Sequence, residues 1–453
     1  MRLLERIWRE KFPRYREILF LLKILSLILL IGIHLPAFSQ NANQVDTLKK
    51  DSLHIVPVTA PYQADSLHKQ YDIADLMRAV FHPKAKPARH HKGSGITPMP
   101  NISSNPTIGF QVGIKAVAGR VLGHEPNTLM SVASTSASIT TKGIIYIYLS
   151  HNIFTPGNKW NLQGSLVAAK TVTPDFGLGI GHNVQGTEAD KILANPARKG
   201  YVLHAQYYSF REKIYKQVME NLFLGAGVSF EIRRKIEDKK NLGDLTPYNI
   251  YSDRYGFPRD HYFSNGLLFN VEYTTRDNQN NAYKGIYADV GVRFNQTWIG
   301  STKNAALLTT DFRKYFNLSG GRPGHVIALW NWGSYLISGA LPYLEIPGTG
   351  KDPGSRSGRG YTVTYFKGTK YNYSEIEYRF PILRNRFLSG VTFFNLQTAN
   401  DLTGTKLFQY WQPGGGAGLR ILFNKATRTN LCLDYGWGKF GSKGLFLNLN
   451  EVF

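Results

Sequence analysis

The sequence predicts an all-β protein: a transmembrane antiparallel β-barrel of sixteen strands, preceded by a cleaved signal peptide and a mostly disordered N-terminal linker. Three observations predict it. The N-terminus is basic and then apolar, the chain from residue 106 onward alternates apolar and polar side chains, and its connections alternate between short and long.

Residues 1–23 carry the basic side chains Arg2, Arg6, Arg9, Lys11, Arg14, Arg16 and Lys23, and the apolar run ILSLILLIGIHLPAFSQ follows. Ala37 and Ser39 place small residues before Gln40, so residues 1–39 read as a signal peptide. A retained membrane anchor is the other reading of the same run, and either way the rest of the chain is exported. Export also redirects the net charge of +23. In a cytoplasmic protein it would point to nucleic acid; here the expected counterparts are outer-membrane lipids and lipopolysaccharide, with no nucleic acid. Cys432 is the one cysteine, which excludes an intramolecular disulfide and a cysteine metal cluster. No later stretch of about 18 apolar residues could form a membrane-crossing helix.

Residues 40–105 are polar and proline-bearing and read as a periplasmic linker. Within it, Ile73, Leu76, Met77 and Val80 stand at helical spacing, which predicts a short amphipathic helix over 71–81 able to dock on the following domain. His82, His90 and His91 lie among Lys84, Lys86, Arg89 and Lys92, but no carboxylate or further ligand stands at a coordinating spacing. The segment is read as a solvated tether, with no metal or cofactor.

The barrel is expected over 106–453. In NLFLGAGVSFEIRR, Leu222, Leu224, Ala226, Val228, Phe230 and Ile232 share one face, while Ser229, Glu231 and Arg233 lie on the other. GIYADVGVRFN and LLFNVEYTTR divide in the same way. A barrel in lipid turns the apolar face outward and the charged face into a wet interior, and closure satisfies every backbone hydrogen bond. Strands are expected near 106–118, 129–141, 143–153, 159–170, 176–182, 200–213 and 219–234, with nine more ending at 444–453. With the termini in the periplasm, the connections at 142, 171–175, 214–218, 278–284, 318–323, 383–386 and 425–428 are short, and 183–199, 235–263, 339–369 and 399–413 are long and external. Trp298, Trp330, Trp332, Trp411 and Trp437 suit interfacial girdles, and Phe453 is expected on the outward face with Leu445, Leu447 and Leu449.

Arg359-Gly360-Tyr361, in a long loop with five strands still to come, resembles the Arg-Gly-Phe/Tyr signature of the sixth outer loop in the BamA/TamA superfamily, the bacterial surface antigen family. SEIEYRFPI, GVTFFNLQ, GGGAGLRILF and LCLDYGWG resemble its twelfth to fifteenth strands, and YTTRDNQNNAYKG an earlier turn. The resemblance covers about three quarters of the chain. It implies that the loop folds back into the barrel and that Arg359 is held by acidic residues of the wall. Alternation turns Glu375 and Glu377 inward, so Arg359, Gly360, Tyr361, Glu375 and Glu377 are the candidate structural lock, with a guanidinium able to bond a carboxylate with two prongs. Where the family commonly has an aspartate on the thirteenth strand, Asn395 stands here, leaving the glutamates as expected partners. Residues 40–105 are too short and too polar for a POTRA domain.

The implied function is insertion of proteins into, or translocation across, the outer membrane, through weak pairing of the first and last strands. Glycines 109, 113 and 119, with Asn448 and Asn450, mark the expected seam. Unfolded outer-membrane proteins would be the clients and a separate periplasmic protein the partner. The alternative is a passive outer-membrane channel or a lipid-handling barrel. An enzyme is not expected: no Gly-x-Ser-x-Gly or His-Glu-x-x-His occurs, and His151, His182, His204, His261 and His325 are scattered.

Overall fold

The computed structural model describes residues 70–81, 96–105, 107–125, 128–181, 184–198, 200–238, 245–319, 324–425 and 427–453. The expected signal peptide, the linker up to residue 69, and His82, His90 and His91 lie outside them.

The barrel begins upstream of residue 106. Strands β1 (Ile96–Pro100) and β2 (Ser103–Asn105) lie along β3 (Gly109–Val121) in one continuous register, bridged by Asn101 N–H donating to Gly113 O at 2.9 Å. They are two halves of one stave. The sheet then follows chain order through β4 (Met130–Thr140), β5 (Ile145–Phe154), β6 (Trp160–Asp175), β7 (Tyr201–Met219), β8 (Leu222–Asp238) and β9 (His261–Thr274). It continues through β10 (Gly285–Asn295), β11 (Ala305–Asn317), β12 (Val326–Gly339), β13 (Lys370–Pro381), β14 (Leu388–Ala399), β15 (Gln412–Asn424), β16 (Thr429–Gly438) and β17 (Lys443–Leu449). All pairings are antiparallel, and β17 closes on β2 with Leu447 opposite Ser104.

Seventeen strands therefore make sixteen staves, since β1 and β2 share one. The expected count holds, but two of its members change. Residues 96–105 form the first stave, although Pro98 and Pro100 argue against a strand in the sequence. The strand expected over 176–182 does not form over its described residues, 176–181. Gly177, Gly179 and Gly181 have φ of 82°, 81° and 75°, a left-handed run open to glycine, and Leu178 and Ile180 between them are buried inside the barrel. The two changes cancel in the total and reverse the intervening staves. The 141–144 turn thus lies at the end opposite the termini, whereas 122–129 lies at the same end as them, and 171–175 belongs to β6 rather than to a connection.

The wall divides as alternation requires. Leu224, Phe269, Val290 and Ile376 are exposed on the outside, and Ser229, Glu231, Glu272, Asn295 and Glu377 are buried within. Trp298, Trp411 and Trp437 are exposed on that outer surface, but Trp330 and Trp332 point inward and are buried. Phe453 also departs from expectation. Asn450, at φ 70°, turns the chain off the edge of β17, and Phe453 stacks on Trp330 inside the wall with centroids 5.2 Å apart. Glu451 follows it inward, accepting from Arg420 Nε at 2.7 Å and Asn430 Nδ2 at 2.7 Å.

Long connections gather at the end away from the termini. There α2 (Glu188–Ala194) starts in a capping box made by Thr187 and Asp190, and α3 (Pro247–Tyr255) packs Tyr248 and Tyr251 against Tyr343 of the 340–369 loop. Arg254 donates to Asp190 at 2.8 Å, joining the two helices. Bonds from Thr187 and then Arg254 hold the Asp190 carboxyl down to about 2. At the opposite end, α1 (Ile73–Phe81) rests on the turns after β13 and β15.

Candidate functional site

Residues 340–369 fill the barrel. Leu341, Tyr343, Ile346, Thr349, Arg359, Tyr361, Phe366 and Lys367 are all buried inside the wall. The loop descends through Gly358 and Gly360, with φ of 82° and 102°, and presents the Arg359 side chain to the inner faces of β13 and β16.

Arg359 Nη2 donates to Glu375 Oε1 at 2.5 Å and to Glu377, while Nη1 donates to Asp434 Oδ2 at 2.8 Å. Its guanidinium plane lies over the Phe393 ring, 3.7 Å from the centroid. One cation thus faces three carboxylates, and two neighbouring arginines share the load while bringing in a fourth acid. Arg379 bonds Glu377 at 2.6 Å, and Arg420 bonds Asp434 at 2.5 Å and Glu451 at 2.7 Å. The result is a continuous buried ion network from the loop through β13, β15 and β16 to the inward tail. Such a network is stable only while every charge keeps its partner, because desolvation has already been incurred.

The backbone of the tip is as closely fitted as its side chain. Asn395 Nδ2 donates to Arg359 O at 3.0 Å, and Ser442 Oγ donates to Gly360 O at 2.8 Å. A Cβ at Gly436 would lie 2.7 Å from Gly360 N, and one at Gly438 would lie 2.2 Å from the Tyr361 ring. Tyr361 Oη donates to Pro413 O at 2.5 Å and accepts from Lys439 N–H at 2.8 Å. The inward glycines of β15 and β16 are the groove into which the tip seats.

All five residues singled out from the sequence, Arg359, Gly360, Tyr361, Glu375 and Glu377, meet in this one place. The expectation that glutamates alone would face the arginine is corrected by Asp434. Its inward position follows from alternation in LCLDYGWG, where it shares a face with Gly436 and Gly438. Further contacts hold the loop elsewhere. Lys367 Nζ bonds Asp175 at 2.9 Å, Thr349 Oγ1 bonds Gln397 at 2.6 Å, and Val363 N–H donates to Thr107 Oγ1 at 2.8 Å.

The seam lies elsewhere than the glycines of β3, which pairs with β1 and β2 over residues 114–118 and 109–111 on one side and with β4 over residues 111–121 on the other. Asn101 turns its N–H toward β3, so along the same stave the even-numbered residues turn theirs toward β17. Pro98 and Pro100 stand on that edge and have no N–H to give. The Leu447–Ser104 register, continued, would set Glu451 opposite Pro100, but the chain has already turned inward at Asn450. Among the described residues no strand pairs with that edge of β1.

No family model matches the chain, and no curated protein matches it in sequence. In structure it is similar to BamA from Haemophilus ducreyi lacking POTRA domains 1–3, with TM-score 0.52 and 12% identity over 79% of this chain and 70% of that one. It is also similar to CdiB from Escherichia coli, with TM-score 0.51 and 8% identity over 81% of this chain and 63% of that one. The chain is accordingly a closed sixteen-stave β-barrel with the fold of the outer-membrane proteins BamA and CdiB.

Proposed function

We propose that the chain inserts proteins into the outer membrane, or passes them across it, by parting the seam between β1–β2 and β17. The observation that carries this reading is the seam itself. One ladder pair, Leu447 with Ser104, joins it, whereas β13 and β14 are paired from Tyr371 to Pro381. In this reading the Arg359 network is a structural lock. It fixes the loop to β13–β16, Lys367 and Asp175 tie the same loop to β6, and the loop reaches the turn after β2 through the neutral bond from Val363 to Thr107, so opening the seam strains that bond and leaves the ion network intact. Unfolded outer-membrane proteins are the clients, a separate periplasmic protein delivers them, and outer-membrane lipids and lipopolysaccharide surround the barrel.

A passive channel is disfavoured by the re-entrant 340–369 loop, whose Tyr343, Thr349, Arg359 and Phe366 are buried inside the wall. Ser104→Cys with Leu447→Cys tests the proposal. The oxidised barrel should lose the ability to speed folding of a client barrel into liposomes, and reductant should restore it. Equal activity in the oxidised and reduced states would rule out a moving seam.

A further inference from the structure

Helix α1 is held by its polar side, and among the described residues nothing covers its apolar side. Tyr71 N–H donates to Asn385 O at 3.1 Å and its ring meets Phe387 edge-on at 5.7 Å. Asp72 accepts from Lys425 N–H at 3.1 Å, and Asp75 accepts from Lys425 Nζ at 2.6 Å. These contacts belong to the turns after β13 and β15, at the end of the barrel that carries both termini. On the free side, Leu76, Met77, Val80 and Phe81 are 38%, 51%, 63% and 63% exposed. A nine-residue helix would not keep such a face in water for its own stability.

What covers the face is indicated by its surroundings. The turn that holds Tyr71 exposes Ile382 and Leu383, and the wall just above it carries Tyr378 stacked on Phe380, on the lipid-facing side of β13. The lipid-facing band therefore continues through this turn toward the helix. In sequence, residues 82–95 contain Lys84, Lys86, Arg89 and Lys92 and no acidic residue, a charge suited to anionic headgroups. We propose that α1 is an interfacial anchor, lying in the headgroup region of the adjoining leaflet with Leu76, Met77, Val80 and Phe81 among the upper acyl chains.

The full chain in nanodiscs containing phosphatidylglycerol tests this with single fluorophore-labelled cysteines, Cys432 being buried and unlabelled. Ile376→Cys on the outer face of β13 gives the signal of a lipid-embedded site, and Ala79→Cys, on the polar side of α1, that of a wet one. Met77→Cys and Val80→Cys should be quenched by brominated acyl chains to an extent approaching Ile376→Cys, and by aqueous iodide several-fold less than Ala79→Cys. The proposal is overturned if both sites match Ala79→Cys toward iodide. It is equally overturned if they are shielded from iodide without any bromine quenching, since protein then covers the face.

Discussion

Asn395 gives its side-chain amide to the main-chain carbonyl of Arg359 at 3.0 Å, on the residue whose guanidinium is already shared among Glu375, Glu377 and Asp434. A donor is what this position needs. The three acids already surround the cation, and Asn395 Nδ2 also stands 3.5 Å from Glu375 Oε2. Asn395→Asp would remove the donor and set a fourth carboxylate beside the others. It should destabilise the barrel by about 1–3 kcal/mol, measured as earlier unfolding in a heat-modifiability gel.

Arg359→Ala strands Glu375, Glu377 and Asp434 without their shared cation, and the expected loss is about 3–5 kcal/mol. Arg359→Lys should recover little of it, because one ammonium cannot form the planar fork that reaches β13 and β16 together. Glu377→Ala should also loosen the barrel by leaving Arg359 and Arg379 short of an acceptor. Unfolding midpoints for these variants matching the parent protein would remove the lock.

The groove of β15 and β16 gives a steric test independent of charge. Gly438→Ala places a methyl group 2.2 Å from the Tyr361 ring, so the tip must shift, while the same change at Gly119 meets nothing nearer than 3.4 Å. Protease accessibility of the 340–369 loop should rise in Gly438→Ala and stay unchanged in Gly119→Ala.

At the far end, the Asp190–Arg254 bond predicts an acid response. The Asp190 carboxyl is held down to about 2 in the folded protein, below its ordinary value of 3.8. A lowered carboxylate contributes stability that is present above the ordinary value and is lost as pH falls toward the folded one. The cap joining α2 and α3 should therefore weaken between about pH 4 and pH 2. Amide exchange across residues 184–198 would report it, and Arg254→Ala should reduce the pH dependence.

Most of the wall was legible because lipid and lumen impose one rule on every stave, seen in the split of Leu224 from Glu231 or of Ile376 from Glu377. The failures share a cause: period-2 alternation reports burial on two sides, not the presence of a strand. Leu178 and Ile180 alternate with glycines because both apolar side chains enter the lumen, and the left-handed glycines prevent a ladder. Trp330 and Phe453 are apolar yet internal because they pack on one another and on Tyr373 and Tyr315. Of the site, the loop and glutamates could be read ahead, but Asp434 and Phe393 converge on Arg359 from strands distant in sequence, through the curvature of the closed wall.

The prolines of β1 bear on what it costs to expose an edge within hydrocarbon. A strand edge uncovered there leaves N–H and C=O groups with no water to satisfy them, and each orphaned donor costs roughly 1–3 kcal/mol. At Pro98 and Pro100, on the edge left uncovered where the chain turns inward at Asn450, the donors are missing from the outset, so two of those penalties never arise. The same vacancies make the uncovered edge a poor template for a strand of a neighbouring copy. The broken first stave is thus cheap to expose and resistant to edge-to-edge polymerisation, two demands that an unbroken strand would meet only at each other's expense.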